Sequence, residues 1–183
     1  MRPLDASSVA PEQRPFVEAL EAAGSFINLY GVMAQSPAAM RRFYDLASVL
    51  WSGGISDRLR EVAILAVVST SNAPYPLGWH ILDGEAAGLT SGEIQAIIRG
   101  DEATCLSSDE AAVAQFARAL TLEANVPDDV FDAVAKTRSE QQIVDLTMLV
   151  GLYGFVARVA NALRVDLDEA PARALETLRS EQG

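Results

Sequence analysis

The chain contains a single histidine, His80, inside the stretch SNAPYPLGWHILDGEAAGLT that runs from Ser71 to Thr90. Imidazole is the side chain whose ordinary titration lies closest to neutral pH, so a lone histidine is the first place to look for proton transfer. Upstream, Glu61 is the first carboxylate to meet the apolar run VAILAVV. A carboxylate in that position either turns to solvent with the helix phase or sits in a polar pocket. Paired with an imidazole, it would suit general acid–base chemistry. The competing reading is structural, because a histidine between Trp79 and Ile81 packs well without catalysing anything. In an ideal antiparallel hairpin turning near Ala73, the two residues would stand roughly 8 Å out of register at 1.5 Å of rise per residue. Spacing alone therefore permits contact without demanding it.

Arg58 and Arg60 flank Glu61. Either could hold a substrate carboxylate with its planar two-donor fork, or simply coat a solvated helix face. Tyr75, Trp79 and Tyr153 are candidates for lining a pocket, although aromatic residues at helical spacing also build core. No phosphate-cradling glycine loop, nucleophile elbow or dinucleotide fingerprint occurs. One histidine with scattered carboxylates does not make a transition-metal site, so neither a metal nor an organic cofactor is expected. Cys105 is the single cysteine, which excludes an intramolecular disulfide. It has no histidine near it in sequence and reads as incidental; a reducing, cytoplasmic setting fits.

The elements that must position these residues are helical. Ser36 with Pro37 opens one helix, closed near Gly53-Gly54, and Ser56 with Asp57 opens the next. VAILAVV has the composition of a buried strand, but the cap before it and the length of the segment favour helix. Gly88 is placed as a left-handed terminator. Thr90 with Glu93, and Ser107 with Glu110, have the spacing of capping boxes. Ser139 with Gln142 opens a long final core helix. Val113, Phe116, Ala117 and Leu120 share one apolar face. PEQRPFVEALEAA and PDDVFDAVAKTR read as short helices, and EAPARALETLRSEQG as a loosely docked terminal one. No alternating strand pattern appears, so the fold class is all-α, in one domain over 1–183 with an N-terminal extension (1–25) and a C-terminal tail (166–183).

With 183 residues, half of them hydrophobic, the chain can bury a real core. Its formal net charge of −11 and pI near 4.4 argue against nucleic acid or anionic membrane as partners. The N-terminus lacks the apolar centre of a signal peptide. The run Ile143–Leu163 is long enough to raise a membrane span, but carries Asp145, Arg158 and Asn161. A charge at mid-span costs about 2.5–3.5 kcal/mol, and a buried helix is the better reading. The helices holding Glu61 and Asp145 are apolar nearly all round, which suits either central burial or a surface covered by another copy. Leu59–Val67 also aligns without gaps on Ile143–Gly151, setting Glu61 opposite Asp145, a hint of internal duplication.

SDRLREVAILAVVSTSNAPYPLGWHILDGEAAGLTSGEI resembles the signature of the carboxymuconolactone decarboxylase-like family, which includes alkylhydroperoxidase D-type proteins. The shared features are LRE before an apolar run, a short segment ending in a histidine, and then AGLT-x-x-EI. NVPDDVFDAVAKTRSEQQIVDLTMLVGLYGFVARVANAL is similar to the second half of the longer members. The resemblance implies an AhpD-like helical bundle, a homo-oligomer (trimer or hexamer) and a small-molecule substrate. It places the family's glutamate on Glu61 and its histidine on His80. The two cysteine positions of the peroxidase branch fall on Ala73 and Pro76. Without thiolates there is no sulfenic acid or disulfide step, so the thiol-free decarboxylase branch is the nearer comparison. That branch implies a lyase-like acid–base reaction on a small carboxylated lactone or related organic acid, with His80 as proton donor or shuttle and Glu61 orienting it. An antioxidant alkylhydroperoxidase and a non-catalytic oligomeric binding protein are the alternatives.

Overall fold

The computed structural model describes residues 1–180. Ten α-helices follow one another with no strand among the described residues: α1 (Arg14–Ala22), α2 (Asn28–Met33), α3 (Pro37–Trp51), α4 (Asp57–Thr70), α5 (Pro74–Ala86), α6 (Ser91–Arg99), α7 (Ser108–Glu123), α8 (Asp128–Ala135), α9 (Glu140–Leu163) and α10 (Glu169–Ser180). The all-α expectation holds.

Local sequence explains most of the boundaries. The Ser56 hydroxyl accepts from the Leu59 amide at the start of α4. All three capping boxes form, on Thr90/Glu93, Ser107/Glu110 and Ser139/Gln142. Each satisfies two amides that a helix start leaves without partners. Gly88 has φ +88, the left-handed backbone that glycine adopts without strain.

α4 is the axis of the bundle. Val62 through Val68 are all buried, and the helix packs against α5, α6, α7 and α9. The strand-like composition of VAILAVV reflects burial on every side. α9 is long and apolar enough to cross a membrane by length and composition, yet half of its most apolar window is buried inside the fold. Its outer face leaves Val144, Met148 and Phe155 exposed.

One expectation needs correction. The C-terminal helix is not loosely docked: α10 lies on α5, with Leu175 and Leu178 in the main core. The contact is so close that a Cβ on Gly78 would stand 2.7 Å from both Cβ and the carbonyl oxygen of Pro171. Glycine at 78 is what lets the two backbones meet. α2 is a helix that the sequence patterns do not announce. Together with Val9, Val17 and Leu20 of the N-terminal segment, its Tyr30 packs into a second apolar cluster.

Candidate active site

α4 and α5 are joined by a tight reversal. Asn72 takes φ +48, and Pro74 begins α5 with an angle already fixed for helix. Across this turn Glu61 and His80 meet despite the register offset of an ideal hairpin. His80 Nδ1 lies 2.7 Å from Glu61 Oε2, and the two residues are only 6 % and 3 % exposed. Arg60 Nε donates to the other carboxylate oxygen at 3.3 Å. With a guanidinium on it, the Glu61 carboxylate is the acceptor and Nδ1–H donates. The exchangeable position of the ring is therefore Nε2, which has no protein hydrogen-bond partner among the described residues.

His80 forms part of the wall of a cavity of about 290 Å³. The rest of that wall is mostly aromatic and includes Tyr30, Phe43, Tyr44, Trp51, Trp79 and Tyr153. Tyr153 stands edge-on to the imidazole, with ring centroids 4.7 Å apart. Its phenol is held well above the ordinary tyrosine range, first by burial and then by the charge of Glu61. The lining contains no lysine or arginine; its one carboxylate is Asp83. Glu61 faces the other way, into a neighbouring cavity of about 260 Å³ shared with Asp57, Arg60 and Asp83. The Glu61–His80 pair is thus a partition between an aromatic chamber and a polar one, with Trp51 and Asp83 bordering both.

Asp83 lies one helical turn beyond His80, with its Oδ2 3.8 Å from Nδ1. Half of its side chain reaches solvent (53 %), but burial of the remainder raises its carboxyl above the usual range. The charge of His80 opposes that rise and that of Glu61 adds to it. Glu61, His80 and Asp83 place one ligand atom each within 4.8 Å of one another, a grouping with metal-binding potential. The Nδ1 atom that would coordinate is already committed to Glu61, and Arg60 shares that carboxylate.

The other residues singled out in the sequence divide into three groups. Tyr153 lies at the imidazole, as expected of a pocket residue. Tyr75 and Trp79 line the cavity too, but their polar ends turn away: Tyr75 Oη and Trp79 Nε1 both donate to Asp168 Oδ2, at 2.6 and 3.2 Å. Burial, and then Asp168, push the Tyr75 phenol far up. Arg60 belongs to the polar chamber, bonded to Asp57, Glu61 and the Trp51 carbonyl. Arg58 is a correction. Its guanidinium donates to Glu110 and Glu93 at 2.6 Å each and to the Gly88 carbonyl, and it borders neither chamber. Both glutamates are capping-box acids, so Arg58 ties together the starts of α4, α6 and α7, with all three of its nitrogens engaged away from both chambers.

Several site residues had escaped the sequence reading. Asp83 had a usable signal, since i+3 on a helix shares a face with His80. Tyr30, Phe43, Tyr44 and Trp51 had none, because α2 and α3 reach the cavity only through tertiary packing. Ala73 caps α5 without a side-chain hydrogen bond, and Pro76 lines the aromatic chamber. Cys105 is exposed and lies outside both linings.

Residues 37–119 match the carboxymuconolactone decarboxylase family, and that stretch contains Arg58, Arg60, Glu61, Tyr75, Trp79, His80 and Asp83. An uncharacterised Bacillus subtilis protein, YdfG, is 22 % identical over 130 residues, covering 70 % of this chain and 88 % of its own. Among solved structures, the debrominase Bmp8 superposes with a TM-score of 0.82 at 20 % identity, over 97 % of this chain and 96 % of that one. One of its structures holds 2,3,4-tribromopyrrole. The alkylhydroperoxidase AhpD core of an uncharacterised peroxidase-related protein from Ralstonia eutropha gives 0.74 at 16 % identity, over 91 % and 90 % of the two chains. At these identities the solved structures speak for the fold, which is AhpD-like, while the match to the carboxymuconolactone decarboxylase family extends over residues 37–119, a little under half of the chain.

Proposed function

We propose that this protein is a cofactor-free acid–base enzyme acting on a small molecule held in the aromatic chamber. His80 Nε2 exchanges the proton with the substrate, and Glu61 positions the ring through Nδ1. The observation that carries this reading is the buried 2.7 Å contact between Glu61 and His80 beside a cavity of substrate size. A carboxylate fixing one imidazole nitrogen leaves the other to act, and also stabilises the charge that develops as the ring takes a proton. General acid–base assistance of this kind contributes roughly 10²–10⁴-fold.

The family comparison suggests a carboxylated lactone, but the chamber favours an uncharged ring. Asp83 and the absence of a lining cation disfavour a carboxylate next to His80, and the arginine nearest the pair, Arg60, lies in the other chamber. A flat, uncharged heteroaromatic of the kind bound by the debrominase suits such walls. The peroxidase alternative is disfavoured by Ala73 and Pro76, which offer no thiolate. We further propose that the protein self-associates through the exposed face of α9 around Phe155, whose ring lies tilted against Phe43 with centroids 5.7 Å apart; light scattering reads this directly.

The test is solvent exchange. Uncharged cyclic ketones and lactones, and their carboxylated counterparts, are incubated in D2O with the protein. The wild type should catalyse deuterium uptake next to the carbonyl of the uncharged set, and His80→Ala should not. Uptake undiminished in His80→Ala would sink the assignment.

A further inference from the structure

Tyr30 and Tyr153 are 7 % and 4 % exposed, so both are more than nine-tenths buried, and both line the chamber that contains His80. Buried phenols normally donate their O–H to the protein. Here neither does. Tyr30 Oη makes no hydrogen bond among the described residues, and Tyr153 Oη only accepts, from Trp51 Nε1 at 3.1 Å. Tyr44, half-buried and edge-on to Tyr30 at 5.9 Å, likewise gives its hydroxyl to no acceptor among the described residues. Tyr75, in the same lining, shows the usual behaviour by donating to Asp168. The contrast matters because phenylalanine would pack equally well at 30, so the Tyr30 hydroxyl contributes no protein hydrogen bond among the described residues and stays available to whatever enters the lined cavity. Burial and the neighbouring Tyr44 hold the Tyr30 phenol up at about 12, so its proton stays in place throughout the neutral range. The indole N–H on Tyr153 Oη polarises that hydroxyl and strengthens it as a donor.

We propose that Tyr30 and Tyr153 form a donor pair for the carbonyl oxygen of an uncharged cyclic ketone or lactone. This inference rests on the acid–base reading for its chemistry and names the substrate class of that site. The step is balanced within the chamber. His80 Nε2 takes a proton from the carbon next to the carbonyl, and the C–H electron pair becomes a C=C bond. The carbonyl π pair moves onto oxygen, where the two O–H groups receive the developing charge. Return of the proton, to the same carbon or a conjugated one, restores the ring and leaves an exchanged or isomerised product. Preorganised donors aimed at such an oxygen belong among the stronger sources of catalysis.

The test uses cyclohexanone labelled with ¹³C at the carbonyl. On binding to the wild type, the carbonyl resonance should move in the direction of hydrogen bonding. Tyr30→Phe should weaken binding roughly 10-fold and return the resonance toward its free position, with an unchanged or higher thermal midpoint. Tyr44→Phe, which also removes no protein hydrogen bond, guards against an effect specific to one site and should weaken binding less. If Tyr30→Phe binds the probe as the wild type does, with the same resonance or with none shifted in either protein, the donor pair is overturned. If His80→Ala stops deuterium uptake while Tyr30→Phe leaves the resonance untouched, the donor pair fails and the acid–base reading stands. Uptake surviving in His80→Ala, with the resonance lost in Tyr30→Phe, would keep the donor pair and remove the acid–base role of His80.

Discussion

Replacing Glu61 by glutamine keeps the length of the side chain and removes its charge. Two effects follow at His80. A carboxylate can only accept, which fixes Nδ1 as the donor across 2.7 Å. An amide can accept or donate, so the ring is no longer held to one orientation of its proton. The negative charge that stabilises a protonated ring is also lost. Two unit charges about 4 Å apart interact by about 4 kcal/mol at an effective dielectric near 20. Arg60, 3.3 Å from the same carboxylate, neutralises part of this, leaving about 2–3 kcal/mol. That corresponds to a rate loss of roughly 30- to 150-fold. The fold should survive, because Arg60 keeps its bonds to Asp57 and the Trp51 carbonyl. The assay is deuterium uptake into cyclohexanone, with circular dichroism confirming the helical content. A Glu61→Gln variant that exchanges within about threefold of the wild type, while His80→Ala is inactive, would refute the role given to Glu61.

Arg58→Ala should behave oppositely, lowering stability by roughly 2–3 kcal/mol and leaving uptake unchanged, as read by urea unfolding alongside the exchange assay. Stability should also fall in acid. The hydrogen bond from Arg58, and then that from the Thr90 amide, hold the Glu93 carboxyl below its usual 4.5. Arg138 does the same for Asp109 below 3.8. A carboxyl whose folded pKa is depressed contributes stability that is complete above the unfolded value and disappears as pH falls through the folded one. The unfolding midpoint should therefore drop below about pH 4, and Arg58→Ala should flatten that drop.

Much of the frame was legible in the sequence because its signals are local. Three capping boxes, the Ser56 cap and the Gly88 terminator are written within a few residues of the ends they define, and each forms. The acid–base pair was legible as two residue types near one turn, although helix register alone left them apart. What stayed hidden is tertiary. α2 has no side chain of its own at its N-terminus: the amides of Asn28 and Leu29 are satisfied by Asp168 Oδ1 and Tyr75 Oη, at 3.2 and 3.0 Å. A cap supplied from far along the chain leaves no local pattern, so the helix that delivers Tyr30 to the chamber could not be read. Arg58 failed for a related reason. The phase of one helix carries no trace of Glu93 and Glu110, the acids that bind it, because they sit at the starts of two others. The docking of α10 depends on Gly78 meeting Pro171, a contact with no periodic trace.

Because the chain has one histidine, ¹⁵N-histidine labelling gives a spectrum of His80 alone, and this tests the acid–base pair most directly. Nδ1 should carry a proton directed at Glu61, and the Nε2 resonance should be the one to move when a ligand enters the aromatic chamber. A ring with Nε2 protonated, Nδ1 bare, and both resonances indifferent to ligand would contradict the proton-transfer role of His80.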